Sequence, residues 1–293
     1  MKNKLSGTGV ALVTPFNNDF SVDYQSLRNI VNYVIDNGVD FLVALGTTGE
    51  PATMNAKEKE LVVKTIVETA QKRVPIVVGI GGNDTLSVVE QIKNYSFTGI
   101  DAILSVVPYY TKPQQDGLFA HFDAVASASP VPIILYNVPG RTSVNMLADT
   151  TLKLAERHQN IVAVKEASGD FAQIMKIIQY KPAHFEVLSG DDAITLPLIA
   201  CGATGVISVV ANALAGDFSK MVKSAMNNQF VEPKALHYKL LEITGLFFAN
   251  GSPSGVKSLL AEMGLCSEIV RLPLVPVNAM IKNQIIDEWN RIK

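Results

Sequence analysis

Lys165 closes an apolar, β-branched run, Ile161-Val162-Ala163-Val164, and is followed by Glu166. Four aliphatic residues in a row suit a strand covered on both faces, as in a parallel sheet wrapped by helices. The lysine then stands where such a sheet opens. An amine attacks a carbonyl only when neutral, and dry apolar surroundings disfavour the ammonium, so this placement is expected to lower the lysine's pKa and ready it as a nucleophile. The plainer alternative is a stem lying on apolar surface while the ammonium reaches water or Glu166. Tyr136 ends another apolar run, 133–136, and its phenol would share a rim with Lys165, close enough to carry protons to chemistry there. Beyond it, Arg141 offers a planar fork for a substrate carboxylate, or else a surface ion pair. The turn Gly46-Thr47-Thr48-Gly49-Glu50 sets two hydroxyls and backbone N–H groups between glycines. It reads as a cradle for a small carboxylate or as an ordinary tight turn. Tyr109 and Tyr110 follow Pro108, a place where tyrosine is more often an amphipathic rim residue than a proton carrier.

Other chemistries find less support. His121, His158, His184 and His237 have no ligand spacing, and Asp191-Asp192 alone makes a weak metal site. No nucleophile elbow for a serine triad is present. Gly79-Ile80-Gly81-Gly82-Asn83-Asp84 fails as a dinucleotide loop because its last glycine position holds Asp84. With 25 Lys+Arg against 27 Asp+Glu there is no basic block for a phosphate backbone, so no nucleic-acid partner is expected. The cysteines, Cys201 and Cys266, lie far apart in apolar surroundings and are expected to be buried, reduced thiols of a cytoplasmic protein. Residues 1–13 imitate a leader only faintly, being broken by Ser6, Gly7, Thr8 and Gly9, and a first core strand explains them better. No apolar run approaches the roughly 18 residues of a membrane span.

What must position these residues is a repeating pattern. Strands are predicted at 10–13, 41–45, 76–78, 102–107, 133–136, 161–164, 185–188 and 206–210. Helical spacing fills 24–36, 57–72, 85–93, 118–128, 146–157, 172–180, 193–201 and 217–227, with Asn55 and Asp84 as N-caps. Eight alternations are the signature of a (β/α)₈ TIM barrel, in which residues just after each strand line the catalytic mouth. Beyond it, helices are predicted at 233–248, 256–263 and 277–292. Residues 1–228 are therefore assigned to the barrel and 229–293 to a C-terminal helical appendage packed on it.

Several stretches in order also carry a resemblance: Gly9-Val10-Ala11-Leu12-Val13-Thr14-Pro15-Phe16, the 46–50 turn, Pro108-Tyr109-Tyr110, residues 135–142, Val164-Lys165-Glu166-Ala167, Ser189-Gly190-Asp191-Asp192, Gly205-Val206-Ile207-Ser208 and Arg271-Leu272-Pro273-Leu274-Val275. Nearly end to end, the chain resembles the pyruvate-dependent class I aldolases of the dihydrodipicolinate synthase and N-acetylneuraminate lyase family. The resemblance implies that Lys165 forms a Schiff base with pyruvate and that Tyr136 is proton donor and acceptor. Thr47 would link Tyr136 to Tyr110, the latter supplied by a neighbouring subunit of a homodimer or homotetramer. Thr48 would hold the pyruvate carboxylate, Arg141 that of L-aspartate 4-semialdehyde, and the backbones at Gly190 and Ile207 would line the site. No external cofactor or metal is implied. The Asn-Val-Pro-x-Arg-Thr form around Arg141 resembles the synthase branch of lysine and diaminopimelate biosynthesis rather than the sugar-acid aldolases. A barrel that merely binds a keto acid would lack the lysine or its hydroxyls, and all are present.

Two departures from the family pattern stand out. Ser252-Pro253-Ser254-Gly255-Val256-Lys257 replaces the usual Asn-Pro-x-Pro-Val-Lys, a change in the appendage. In lysine-sensitive relatives an effector site near Tyr109 uses a serine-alanine pair, two histidines, an asparagine and a glutamate. The matching positions here are Pro51-Ala52, Ala56 and Lys59, Asn83 and Ser87. An ammonium effector would lose its carboxylate and meet Lys59, so L-lysine is expected to act weakly or not at all.

Overall fold

The structure, a computed structural model, describes residues 5–293, so the first residues of the leader-like stretch lie outside it. In order come β1 (Gly7–Ala11), α1 (Tyr24–Asp36), β2 (Phe41–Ala44), α2 (Ala56–Ala70), β3 (Ile76–Gly79), α3 (Thr85–Asn94), β4 (Ala102–Val106), α4 (Gln115–Ala128) and β5 (Ile133–Asn137). Then follow the single-turn α5 (Pro139–Thr142), α6 (Ala148–Arg157), β6 (Ile161–Glu166), α7 (Phe171–Tyr180), β7 (Glu186–Ser189), α8 (Thr195–Ala200), β8 (Gly205–Ser208) and α9 (Ala215–Met226). The strands pair in parallel with their sequence neighbours, and β8 returns to β1, closing the barrel. Three further helices, α10 (Val231–Phe248), α11 (Ser254–Glu262) and α12 (Ala279–Ile292), complete the chain.

Local chemistry accounts for the helix starts. Asn55 accepts from the Glu58 N–H while Glu58 reaches back to the Asn55 N–H, a capping box that begins α2. Asp84 accepts from the Leu86 N–H at the start of α3. Alternation then sorts the strand side chains into two layers. Ala11, Val43, Val77, Leu104, Tyr136, Ala163, Leu188 and Ile207 fill the barrel interior. Val10, Leu42, Val78, Ile103, Leu135 and Val164 pack outward under the helices. Leu240, Ile243, Phe247, Val256, Leu259 and Leu260 of α10 and α11 join that outer core, so the C-terminal helices share it.

The strand bounds shift from the sequence expectation where glycine or polar residues enter the sheet. The first strand is Gly7–Ala11 rather than 10–13, because Gly-Thr-Gly has poor strand propensity yet is what the seam needs. A Cβ on Gly9 would sit 2.2 Å from the Phe41 ring, and one on Gly205 would sit 2.2 Å from the Gly7 carbonyl oxygen. Gly205 also has φ 153°. The last strand stops at Ser208, since Val210 already belongs to a 3₁₀ turn, Val210–Asn212. The Asn212 side chain in that turn accepts from the Val13 N–H (3.0 Å) and donates to the Ala11 carbonyl (2.8 Å), stitching the seam above the sheet. Cys201 and Cys266 are free but only partly buried, a correction to full burial. Burial pushes the Cys266 thiol up to about 12, against the pull of Lys257.

Gly205→Ala is expected to destabilise the fold by about 3 kcal/mol or more, because the new methyl meets backbone rather than a movable side chain. A urea midpoint within error of the parent would contradict this account of the seam.

Candidate active site at the carboxyl ends of the strands

Parallel pairing carries β6 through Lys165 and Glu166, beyond the apolar run 161–164 predicted as the strand. Tyr136 lies beside Lys165 and Asn137 beside Glu166. Lys165 is thus a buried strand residue, 5% exposed, rather than one emerging beyond the sheet. Its Nζ stands 4.3 Å from the centroid of the Tyr136 ring. No carboxylate among the described residues forms an ion pair with it, although Asp192 is near enough to feel its charge. Glu166, the alternative partner, is turned to the other face by strand alternation. There its carboxylate accepts from Asn137 Nδ2, Gln173 Nε2 and the Ser168 N–H, each at 3.0 Å. Burial pushes the Glu166 carboxyl up from its ordinary value, and these hydrogen bonds oppose the shift.

The same network fixes the loop that bears Arg141. Asn137 accepts from the Met146 N–H (3.0 Å) and donates to Asn145 Oδ1 (2.8 Å), while Gln173 bonds Asn145 and the Met146 carbonyl. Thr142 bonds the carbonyls of Val138 and Val144, closing α5 under Arg141. The Arg141 guanidinium has no ion pair among the described residues. It lines a cavity of about 1300 Å³ that also takes in Thr47 and Tyr136.

In the 46–50 turn, Thr47–Gly49 is a 3₁₀ turn with Thr47 exposed to the cavity and Thr48 buried. Leu45 and Glu50, at its two ends, both have φ 55°, a left-handed backbone unusual for residues with side chains. Tyr110 shares that trait at φ 73° and is 86% exposed. Within one chain the hydroxyls of Tyr110, Thr47 and Tyr136 are not hydrogen-bonded to one another. Gly190 abuts the lysine, since a Cβ there would lie 3.1 Å from Lys165 Cε, and Ile207 belongs to the interior cluster around Tyr136.

Pro51, Ala52, Ala56, Lys59 and Tyr109 border the same cavity, toward α2, whereas Asn83 and Ser87 do not. Ser87 instead hydrogen-bonds Asp84 within the start of α3. Among the described residues no three His, Cys, Asp or Glu side chains gather as a metal site, and no helix is long and apolar enough to cross a membrane.

Sequence reading gave Asp192 no role of its own, naming it only within the 189–192 stretch and as half of a weak metal pair. Its buried carboxylate accepts from the Ser208 hydroxyl and from the Val209 N–H (3.0 Å), tying the end of β7 to the end of β8. Only the folded register of two strands brings these groups together. Burial raises the Asp192 carboxyl to about 6, against those hydrogen bonds. A carboxyl whose folded pKa lies above its unfolded value near 3.8 favours the folded state when protonated. Its contribution therefore falls as pH rises from about 4 to about 6 and is flat above. Relative to Asp192→Asn, the parent should lose up to about 3 kcal/mol of unfolding free energy across that window. Urea titrations at stepped pH check this, and a constant difference between the two proteins would contradict it.

The sequence matches the Dihydrodipicolinate synthetase family over residues 4–290. It is 54% identical over 279 residues to a 4-hydroxy-tetrahydrodipicolinate synthase of Flavobacterium psychrophilum, covering 95% of each chain. The fold superposes with TM-score 0.95 on the chloride-inhibited dihydrodipicolinate synthase of Acinetobacter baumannii solved with pyruvate, at 38% identity and 98% and 99% coverage. A structure described as the first monomeric dihydrodipicolinate synthase variant gives TM-score 0.96 at 34% identity, covering 99% of this chain and 97% of that one. With sequence and fold matched along nearly the whole length, the chain belongs to the dihydrodipicolinate synthetase family.

Proposed function

We propose that the chain condenses pyruvate with L-aspartate 4-semialdehyde to 4-hydroxy-tetrahydrodipicolinate, a lyase-type carbon–carbon bond formation in lysine and diaminopimelate biosynthesis. The observation that carries this reading is a buried lysine with no carboxylate partner, its Nζ 4.3 Å from the centroid of the tyrosine ring on the adjacent strand. The Lys165 amine adds to the pyruvate carbonyl, and loss of water leaves a protonated imine. That imine draws electrons from the methyl group, which gives up a proton and becomes a nucleophilic enamine that attacks the aldehyde carbon, whose oxygen takes up a proton. The amine of the semialdehyde then displaces the lysine from the imine carbon, closing the ring and freeing Lys165. Tyr136 moves the protons, because its phenol stands at the level of the lysine. Thr48 and the neighbouring backbone hold the pyruvate carboxylate, Arg141 grips the semialdehyde carboxylate, and Gly190 and Ile207 wall the pocket. The chemistry needs no external cofactor, and a cytoplasmic setting supplies both substrates.

Tyr110 is assigned to the site of a second copy, joined through Thr47 to that copy's Tyr136. Its exposure and left-handed backbone in the loop beyond β4 support a residue placed for a neighbour. L-lysine is assigned little effect, since Lys59 lines the cavity and its like charge opposes an ammonium effector.

Borohydride reduction with pyruvate is expected to add one three-carbon unit per chain, at Lys165, and Lys165→Arg should abolish it because a guanidinium does not condense. Mass spectrometry placing the adduct on another lysine would refute the assignment. Arg141→Ala should leave that adduct intact while weakening productive use of the semialdehyde by roughly 1.5–3 kcal/mol. Loss of the adduct in this variant would mean that Arg141 supports the pocket itself.

A further inference from the structure

The second buried lysine, Lys257, is handled differently from the first. It is 0% exposed on α11, and its Nζ donates to Glu50 Oε1 at 2.6 Å and to the Ile269 carbonyl at 2.8 Å, over the face of Phe16. The other Glu50 oxygen accepts from the Arg271 N–H at 3.0 Å. Glu50 is the residue that closes the Thr47–Gly49 turn, its N–H bonding the Thr47 carbonyl at 3.1 Å. We propose that the C-terminal helices take part in catalysis at a distance: by gripping the Glu50 carboxylate, Lys257 holds the 46–50 turn in the shape that presents Thr47 and Thr48 to pyruvate. Glu50 and Lys257 are then positioning residues. The proposal rests on the reading that Thr48 and its turn serve pyruvate.

Three observations carry it. The left-handed backbone at position 50 is one that glycine adopts freely and glutamate does not, so a glutamate there is useful only through its side chain. Both oxygens of that side chain are spent on residues beyond position 250, none on the barrel. Arg271 continues the hold, bonding the Thr53 carbonyl at 2.9 Å and forking onto Glu58 at the start of α2. The segment between β2 and α2 is thereby held at Glu50 in its middle and at Thr53 and Glu58 near the start of α2 by the C-terminal region. A pair kept only for adhesion would be an odd choice, since well-packed apolar side chains hold buried surfaces as well as a buried ion pair does. Adhesion here is already close. Gly255 lets α11 approach α10 so nearly that a Cβ would lie 2.4 Å from the Phe247 carbonyl oxygen. What the charges add is a direction for the Glu50 carboxylate.

The test uses Lys257→Met and Glu50→Gln in the full-length protein, assayed well below each variant's melting temperature. Glu50→Gln changes one atom and carries the test alone should Lys257→Met fail to fold. Expected are a KM for pyruvate raised at least fivefold, kcat lowered at least tenfold, and slower appearance of the borohydride-trapped Lys165 adduct. The KM for the semialdehyde, which depends on the separate Asn137–Glu166–Gln173 network, should move less than twofold. The double variant should recover melting temperature, because no buried charge is left unpaired, without recovering kcat. Unchanged pyruvate kinetics in folded protein, or kcat returning together with stability in the double variant, would overturn the proposal. Thr48→Ala, measured alongside, separates the two readings. If it leaves the pyruvate KM unchanged, the assignment of the turn to pyruvate fails; if it raises that KM while Lys257→Met does not, the coupling fails.

Discussion

Burying an ammonium costs several kcal/mol unless something compensates it, and this protein solves that problem twice in opposite ways. Lys257 is compensated by a carboxylate, a carbonyl and an aromatic face, so its charge is fixed and serves architecture. Burial pulls its pKa down while Glu50 pulls it back. Lys165 has an aromatic face but, among the described residues, no carboxylate within pairing distance, and the acid next to it in sequence is committed elsewhere. Strand alternation is what keeps the two apart. Residue 165 points into the barrel and residue 166 under the helices, so adjacent opposite charges never meet.

The barrel makes that separation systematic. Each strand hands one set of side chains to the interior and one to the outer layer, and at the carboxyl ends the outer set becomes a scaffold. Glu166 and Asn137 face outward and brace the Arg141 loop, while Lys165 and Tyr136 face inward side by side. Asp192 performs the same service between β7 and β8. An inward-facing candidate group and its outward-facing support therefore sit one residue apart on one strand, held by the same backbone hydrogen bonds.

Much of this is legible in the sequence, and the part that is not has a physical reason. The helices declare themselves through apolar spacing and caps, so that α1 spans the expected 24–36 and Asn55 begins α2 as anticipated. The strands declare their apolar centres but not their ends. Pairing with neighbours carries Lys165, Glu166 and Ser189 into the sheet although none has strong strand propensity. The candidate residues stand out because lysine after an aliphatic run, hydroxyls between glycines and an arginine past a tyrosine are chemically conspicuous. Their supports are not conspicuous. Glu50 meets Lys257 across 207 residues, and Asp192 meets Ser208 across 16, contacts that exist only once the fold does.

The seam between the first and last strands has a further consequence, for the growing polypeptide. Gly9 pairs with Ile207, nearly two hundred residues downstream. At about 5–20 residues per second of synthesis, β1 waits on the order of 10–40 s for its second neighbour. Throughout that interval its outer edge is open, the situation that invites pairing with foreign chains. Gly7-Thr8-Gly9 is a poor template for such pairing, since glycine weakens β-stacking and offers no side chain to interlock. The glycines that let the ring close thus also guard the nascent chain while it remains open.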